Sequence, residues 1–289
     1  MRRIIINIVS PILHAIDALL CKLRVKRPVV VIYMDGGICS QIYMYVKGQY
    51  YAEKGLDVYY DTRWYDTCGK DQFGLMPRTF ELLEMWPDLP FKKISPLARK
   101  FYLLFFQVKR TEGDRLPLPS LVKHSLYFHE YWNMPSDEYD RVFTKFFDIF
   151  NAAIPAIADS DYTNCAGIHV RRGDLAKGDN PAYGGVTDGY FLRAIEFCNE
   201  KFQPKKYIFF SDEPDWVEQN ICKDIHKPYE IKRGNKAWED LWILAQCPII
   251  VASQGSFGKM AAHLNQHAVL IQCDNEYADR ERENTFFIS

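Results

Sequence analysis

Apolar positions along the chain form short β-branched or aromatic runs, separated by amphipathic stretches and small-residue turns. VVVIY at 29–33 has the composition of a buried strand and runs into Asp35-Gly36-Gly37. A helix-compatible stretch covers 41–54, and a second strand is expected around 58–60. Strand, glycine turn, helix and strand make a βαβ unit. From Thr62 to Tyr139 the chain is aromatic and interrupted by prolines, with FYLLFFQ at 101–107 its most apolar piece. Residues 141–151 then read as a helix. Alternation resumes after Asp161, with strands expected at 165–170, 207–210, 249–252 and 268–272 and helices at 190–202, 238–246 and 257–264. The pattern predicts an α/β protein whose parallel sheet carries helices on both faces. Ligands of such sheets bind at the carboxyl ends of strands, where the notable polar residues of this chain fall. No internal repeat or low-complexity tract interrupts it.

Residues 1–28 stand apart. Basic ends flank an apolar run broken by Asn7, Ser10, Pro11, His14 and Asp17. A spanning helix needs about 20 mostly apolar residues without such breaks, and no small-residue cleavage site follows the run. Ile12, Leu13, Ile16, Leu19, Leu20 and Leu23 lie at helical spacing, and Lys22, Arg24, Lys26 and Arg27 suit anionic headgroups. The segment reads as an amphipathic helix, either on a membrane surface or packed on the protein's own body. The localisation expected is cytoplasmic, with peripheral contact on the inner face of the membrane as the surface-helix alternative.

Length and charge narrow the function. A chain of 289 residues suggests two domains and needs no staples to fold. Thirty-six Lys and Arg against 37 Asp and Glu leave no basic excess, which argues against a nucleic-acid partner. The eight cysteines are scattered with no C-x-x-C pair, several in apolar surroundings, and read as reduced thiols rather than zinc ligands or disulfides.

The sharpest candidate chemistry is Gly167-Ile-His169-Val-Arg171-Arg172-Gly-Asp174. A buried strand ending in a His, two Arg and an Asp requires partners for them. Alternation of side chains puts His169 and Arg171 on one face, toward a cleft, and Arg172 on the other. Arg172 with Asp174 is expected as an internal ion pair fixing the turn. The planar fork of an Arg suits phosphate, so Arg171 is the anion-binding candidate; a solvated salt-bridge cluster is the plainer alternative. Ser253–Ser256 and Gly36-Gly37 are small-residue turns before helices, where backbone N–H groups approach phosphates. Walker-type and dinucleotide-binding glycine signatures are absent. Ser211-Asp212 precedes Glu213-Pro214 and reads as a helix cap or as a carboxylate accepting from a guanine edge. Asp159-Ser160-Asp161 has the form of a metal-holding D-x-D but sits in a polar linker and reads as a loop. No metal is expected.

His169-Val-Arg171-Arg172-Gly-Asp174 resembles the H-x-R-R-x-D signature of α-1,2-fucosyltransferases, glycosyltransferase family eleven. Four further segments fall in that family's order. Gly36 to Tyr45 is similar to G-G-L-G-N-Q-M-F-Q-Y, and Tyr127 to Trp132 to a Y-F-Q-S-E-K-Y-F-like segment. Phe210 to Trp216 is similar to F-S-D-D-P-x-W, and Asp240 to Asn265 to D-L-x-L-M…I-I-A-N-S-S-F-S-W-W-A-A-W-L-N. The resemblance spans about residues 30–272. Ser40 and Gln254 stand where Asn is usual, and Lys259-Met260 replace a Trp pair.

The resemblance implies a GT-B-like fold: a Rossmann-like acceptor-side domain over 29–158 and a Rossmann-like GDP-sugar domain over 159–289, facing a cleft. It implies that His169 and Arg171 contact the donor's diphosphate, Ser256 and Phe257 its β-phosphate end, and Asp212 the guanine, while Gly36-Gly37 faces the fucose. The implied reaction is metal-independent, inverting transfer from GDP-fucose to a galactose-type hydroxyl of a surface glycan. Arg171 would stabilise the leaving GDP, as a metal-free site requires. Glu130 and Asp188 are candidates for the base, Asp174 being compromised by its pairing with Arg172. Other acceptors, and a GDP-sugar-binding relic without turnover, are the alternatives.

Overall fold

A computed structural model describes residues 2–70, 77–108, 118–129, 141–144, 162–173, 188–275, 278–280 and 282–289, side chains of 2–5 and 188 excepted. The chain divides into two compact units, Met1–Ala153 and Ile154–Ser289.

The first unit is built on three parallel strands, β1 (Val29–Tyr33), β2 (Asp57–Asp61) and β3 (Leu126–Phe128), in the order β2-β1-β3. The central β1 is β-branched in four of its five positions and buried along its middle, as a strand covered on both faces must be. Helix α1 (Arg2–Lys22) precedes it, and α2 (Ile38–Glu53) links β1 to β2. Among the described residues, the aromatic stretch after β2 contains three short α-helices: α3 (Arg63–Thr67), α4 (Leu82–Met85) and α5 (Pro96–Phe105). Ser95 caps α5 by accepting from the Ala98 N–H, and Pro96 occupies the first turn where its missing N–H costs nothing. FYLLFFQ is thus largely the second half of α5. Of the helix expected at 141–151, residues 141–144 are helical and the remainder lies outside the described residues.

The second unit carries six parallel strands: β4 (Cys165–Val170), β5 (Lys206–Ser211), β6 (Tyr229–Ile231), β7 (Ile249–Ala252), β8 (Val269–Cys273) and β9 (Thr285–Ile288). Their order is β6-β5-β4-β7-β8-β9, the doubly wound dinucleotide-fold order with its reversal between β4 and β7. Among the described residues this unit has four α-helices: α6 (Asp188–Lys201), α7 (Pro214–Asn220), α8 (Ala237–Gln246) and α9 (Phe257–Leu264). β4 and β7 are buried at every position, which their apolar or small residues permit, His169 of β4 being the polar exception. The fold is α/β with two Rossmann-like units in series, the GT-B-like class expected. All eight cysteines are thiols, none of them in a disulfide.

Candidate active site

The reversal of strand order between β4 and β7 opens a crevice at their carboxyl ends. His169 is the penultimate residue of β4 and 8% exposed. Its Nδ1 lies 2.9 Å from Ser253 Oγ, and its ring stacks on Phe257, centroids 4.8 Å apart. Burial, then the charge of Arg171, pushes the His169 pKa down to about 3, so the imidazole is neutral. Ser253 Oγ also accepts the Arg171 backbone N–H at 3.1 Å. The hydroxyl proton has a 2.9 Å path to His169 Nδ1 and only a 3.5 Å path to the Gln254 carbonyl. Donation to Nδ1 leaves the imidazole proton on Nε2.

Arg171 follows β4 directly. Gly255, at φ +104°, makes room for it: a Cβ there would stand 3.1 Å from an Arg171 Nη. The same turn leads into α9, whose first backbone N–H groups are free of intrahelical partners by geometry. Ser256 is the residue before that helix and makes no side-chain cap bond. Phe257 spends its ring on His169, so any contact of this position with a phosphate must come from its backbone. A small polar depression at the ends of β7 and β8 is lined by Ser253, Gln254, Gly255, Lys259 and Gln272. Burial holds the Lys259 ammonium below the usual lysine range.

Arg172 turns away from this crevice. Its guanidinium lies 3.5 Å over the Trp216 ring of α7, and its Nε is 3.1 Å from Glu213 Oε2. Asp174, its expected partner, lies outside the described residues; Glu213 and Trp216 are the partners that are described. Asp212 Oδ1 accepts the Arg172 backbone N–H at 2.9 Å. A Cβ on Gly173 would come within 2.6 Å of Asp212 Oδ2, so any larger residue there would displace this carboxylate. Burial pushes the Asp212 carboxyl up, against the backbone N–H bonds and the Arg171 charge that pull it down. Neither Ser211 nor Asp212 occupies the cap position of α7, which is Glu213; Ser211 Oγ accepts the Glu213 N–H at 3.0 Å.

In the first unit strand order reverses around β1, and Gly36, at φ +75°, with Gly37 forms the turn from β1 into α2. Beside that turn, Asp35 Oδ2 is 3.0 Å from His129 Nε2, joining the residues that follow β1 and β3. Gln41, part of the glycine segment, is fully buried and holds the chain before α4. Its amide donates to the Thr79 carbonyl at 2.8 Å and accepts from the Glu81 and Leu82 N–H groups, each at 2.9 Å. Glu130, Asp159 and Asp161 lie outside the described residues, as does the side chain of Asp188, which opens α6.

Sequence reasoning placed Ser253 in a small-residue anion-binding turn but missed its bonds to His169 and Arg171, and it passed over Gly255 as a contact of Arg171 and the Asp35–His129 pair. Gly255 carried a signal, a lone glycine between Gln254 and Ser256 at a strand exit. The side-chain partners of Ser253 carried none, because they are 82 and 84 positions away.

A family model described as glycosyl transferase family 11 matches residues 91–287. The chain belongs to that family. Among family relatives, an α-1,2-colitosyltransferase of Escherichia coli is 23% identical over 284 residues, 89% of this chain and 95% of its own length. A galactoside α-(1,2)-fucosyltransferase 1 of Aotus azarae is 30% identical over 102 residues, 34% of this chain. That match spans only 28% of the monkey protein's length. Among solved structures, POFUT1 in complex with GDP aligns with 91% of this chain and 99% of its own at 10% identity and a TM-score of 0.44. The chain is therefore a glycosyltransferase of family 11, with fucosyl- and colitosyltransferases among its relatives.

Proposed function

We propose that this family 11 enzyme transfers L-fucose from GDP-fucose to a galactose-type hydroxyl of a surface glycan, forming an α-1,2 linkage with inversion and without a metal. The observation that carries this reading is the convergence of His169, Arg171 and the α9 N-terminus at the reversal point of a dinucleotide-type sheet. A departing GDP develops charge on its β-phosphate. In this reading the Arg171 fork and the N–H groups at Ser256–Phe257 meet that charge, and the neutral His169 donates from Nε2. Asp212 contributes through Oδ2 to the guanine edge, its Oδ1 being occupied by Arg172. In this reading the second unit holds the nucleotide, the first serves the acceptor, and the Gly36-Gly37 turn serves the sugar.

The acceptor hydroxyl must lose a proton. Among the described residues we assign that proton to His129, oriented by Asp35 at the exit of the first sheet; Glu130 and Asp188 remain candidates from sequence alone. His129→Asn should lower kcat at least about tenfold, the low end of general-base effects being near 10²-fold, with GDP affinity unchanged. Loss of GDP affinity instead would remove His129 from this role.

The relative matched across 89% of this chain supports a second donor reading. Colitose is fucose without its 3-hydroxyl, so GDP-colitose would seat its diphosphate identically. Purified enzyme supplied with GDP-fucose or GDP-colitose and a panel of galactosides decides the donor, the acceptor and, by NMR of the product, the linkage. Turnover with GDP-fucose is expected; turnover with GDP-colitose alone overturns the donor assignment. Transfer to a protein or to another sugar hydroxyl overturns the acceptor. GDP binding without turnover on any acceptor means a relic.

A further inference from the structure

Helix α1 is amphipathic in the reverse of the usual sense. Ser10, His14 and Asp17 face the protein: Ser10 Oγ donates to the Phe105 carbonyl at 2.7 Å, and His14 Nε2 lies 2.7 Å from the same oxygen. The His14 ring stacks on Phe106 and on His124, at 4.8 and 4.6 Å. Asp17 is 7% exposed, ion-paired with Lys26, and accepts the Ser125 N–H at 2.6 Å. These contacts pin the helix to α5 and to the segment entering β3.

The opposite face is apolar and bare. Ile8, Ile12, Ile16, Leu19 and Leu23 are exposed by 50% (Ile16) to 62% (Leu23). At 100° per residue these five positions lie within a stripe roughly 80° wide, centred about 170° from Ser10, His14 and Asp17. α5, which packs against α1, exposes Leu97 as well, at 81%. A contiguous apolar stripe of this kind on a folded protein marks something that covers it.

Charge identifies the cover. Residues 1–27 hold six Lys and Arg and one carboxylate, Asp17, in a chain whose formal charge is −1. Asp17 is buried and already paired, while Lys22, Arg24 and Arg27, at the carboxyl end of the stripe, are exposed. A second copy of the chain would bring this positive segment against its own like charges. An anionic lipid surface satisfies both features, accepting the aliphatic stripe at the acyl boundary and the cations at the headgroups. No helix among the described residues is long and apolar enough to cross a membrane, so the contact is along the surface. We propose that α1 docks this protein flat on an anionic lipid bilayer through Ile8, Ile12, Ile16, Leu19 and Leu23, with Lys22, Arg24 and Arg27 at the headgroups.

The test is co-sedimentation of the whole protein with phosphatidylcholine vesicles, with and without phosphatidylglycerol. Binding should be at least about tenfold stronger to the anionic vesicles at low salt and weaken as salt is raised. Ile12→Glu/Ile16→Glu, both at exposed positions, should abolish it with an unchanged melting temperature and unchanged turnover on soluble acceptor. Lys22→Gln/Arg24→Gln/Arg27→Gln should remove the preference for anionic lipid. Absence of wild-type binding, or wild-type binding by the Glu variant, overturns the proposal. So does a dimer in ultracentrifugation that the Glu variant dissociates, which would assign the stripe to a second copy. The vesicle-binding, melting and ultracentrifugation readouts do not depend on the donor or reaction proposed above.

Discussion

Ser253 Oγ stands 2.9 Å from His169 Nδ1 and in the same position accepts the Arg171 N–H, so one buried hydroxyl sets both the imidazole tautomer and the exit of the strand that carries the guanidinium. Removing it leaves two buried polar groups without that partner, a cost of about 1–3 kcal/mol. Ser253→Ala should therefore reduce kcat/KM by roughly 10- to 100-fold, and Ser253→Thr, which keeps the hydroxyl, should retain most of it. Steady-state kinetics of the two variants, with circular dichroism to confirm folding, checks this.

Arg171 and Arg172 are adjacent and should behave oppositely. Arg171→Ala should abolish transfer and weaken GDP binding, and Arg171→Lys should restore little, because an ammonium lacks the bidentate fork. Arg172 packs on Trp216 and pairs with Glu213. Its replacement by Ala should lower stability by about 1 kcal/mol while sparing GDP affinity. Calorimetric GDP titration beside denaturant unfolding separates the two. A well-folded, inactive Arg172→Ala protein with lost GDP affinity would place that residue in the donor site instead.

His169 sets a pH dependence of defined sign. With its native pKa near 3 and an ordinary value of 6.5, the unfolded chain takes up this proton before the folded one does. Its contribution to stability is complete above pH 6.5 and is lost as pH falls from 6.5 toward 3, by at most about 1.4 kcal/mol per unit. Melting temperature should fall on acidification through that window, and less steeply in His169→Gln. Because the native imidazole stays neutral, no inflection in kcat/KM near pH 6.5 should arise from this residue. An inflection there that disappears in His169→Gln would show a solvated, titrating ring.

Transfer should be unaffected by EDTA, since the proposed leaving-group stabilisation comes from Arg171 and backbone N–H groups. Loss of activity in EDTA, restored by a divalent cation, would turn attention to Asp159 and Asp161.

Much of the scaffold was legible in one dimension. Val29–Tyr33, Cys165–Val170, Ile249–Ala252 and Phe257–Leu264 occupy the bounds their patterns predict, because doubly covered strands must be continuously apolar and their exits are written in Gly, Ser and charged residues. The strands β3, β6 and β9 were not legible: at three or four residues they are too short to display a period, and their pairing partners define them. Residue type and strand parity alone also separated His169 and Arg171 from Arg172.

The sequence by itself determined that the chain is α/β, that its chemistry gathers at strand exits, and that residues 1–28 form an amphipathic segment. Only the tertiary structure decided the strand order, and with it the meeting of Ser253 with His169 across 84 residues and of Asp35 with His129. It also decided which way α1 faces. A hydrophobic pattern fixes the width of an apolar stripe, but its direction depends on polar partners such as Phe105 and Ser125, which the chain brings near only after it has folded.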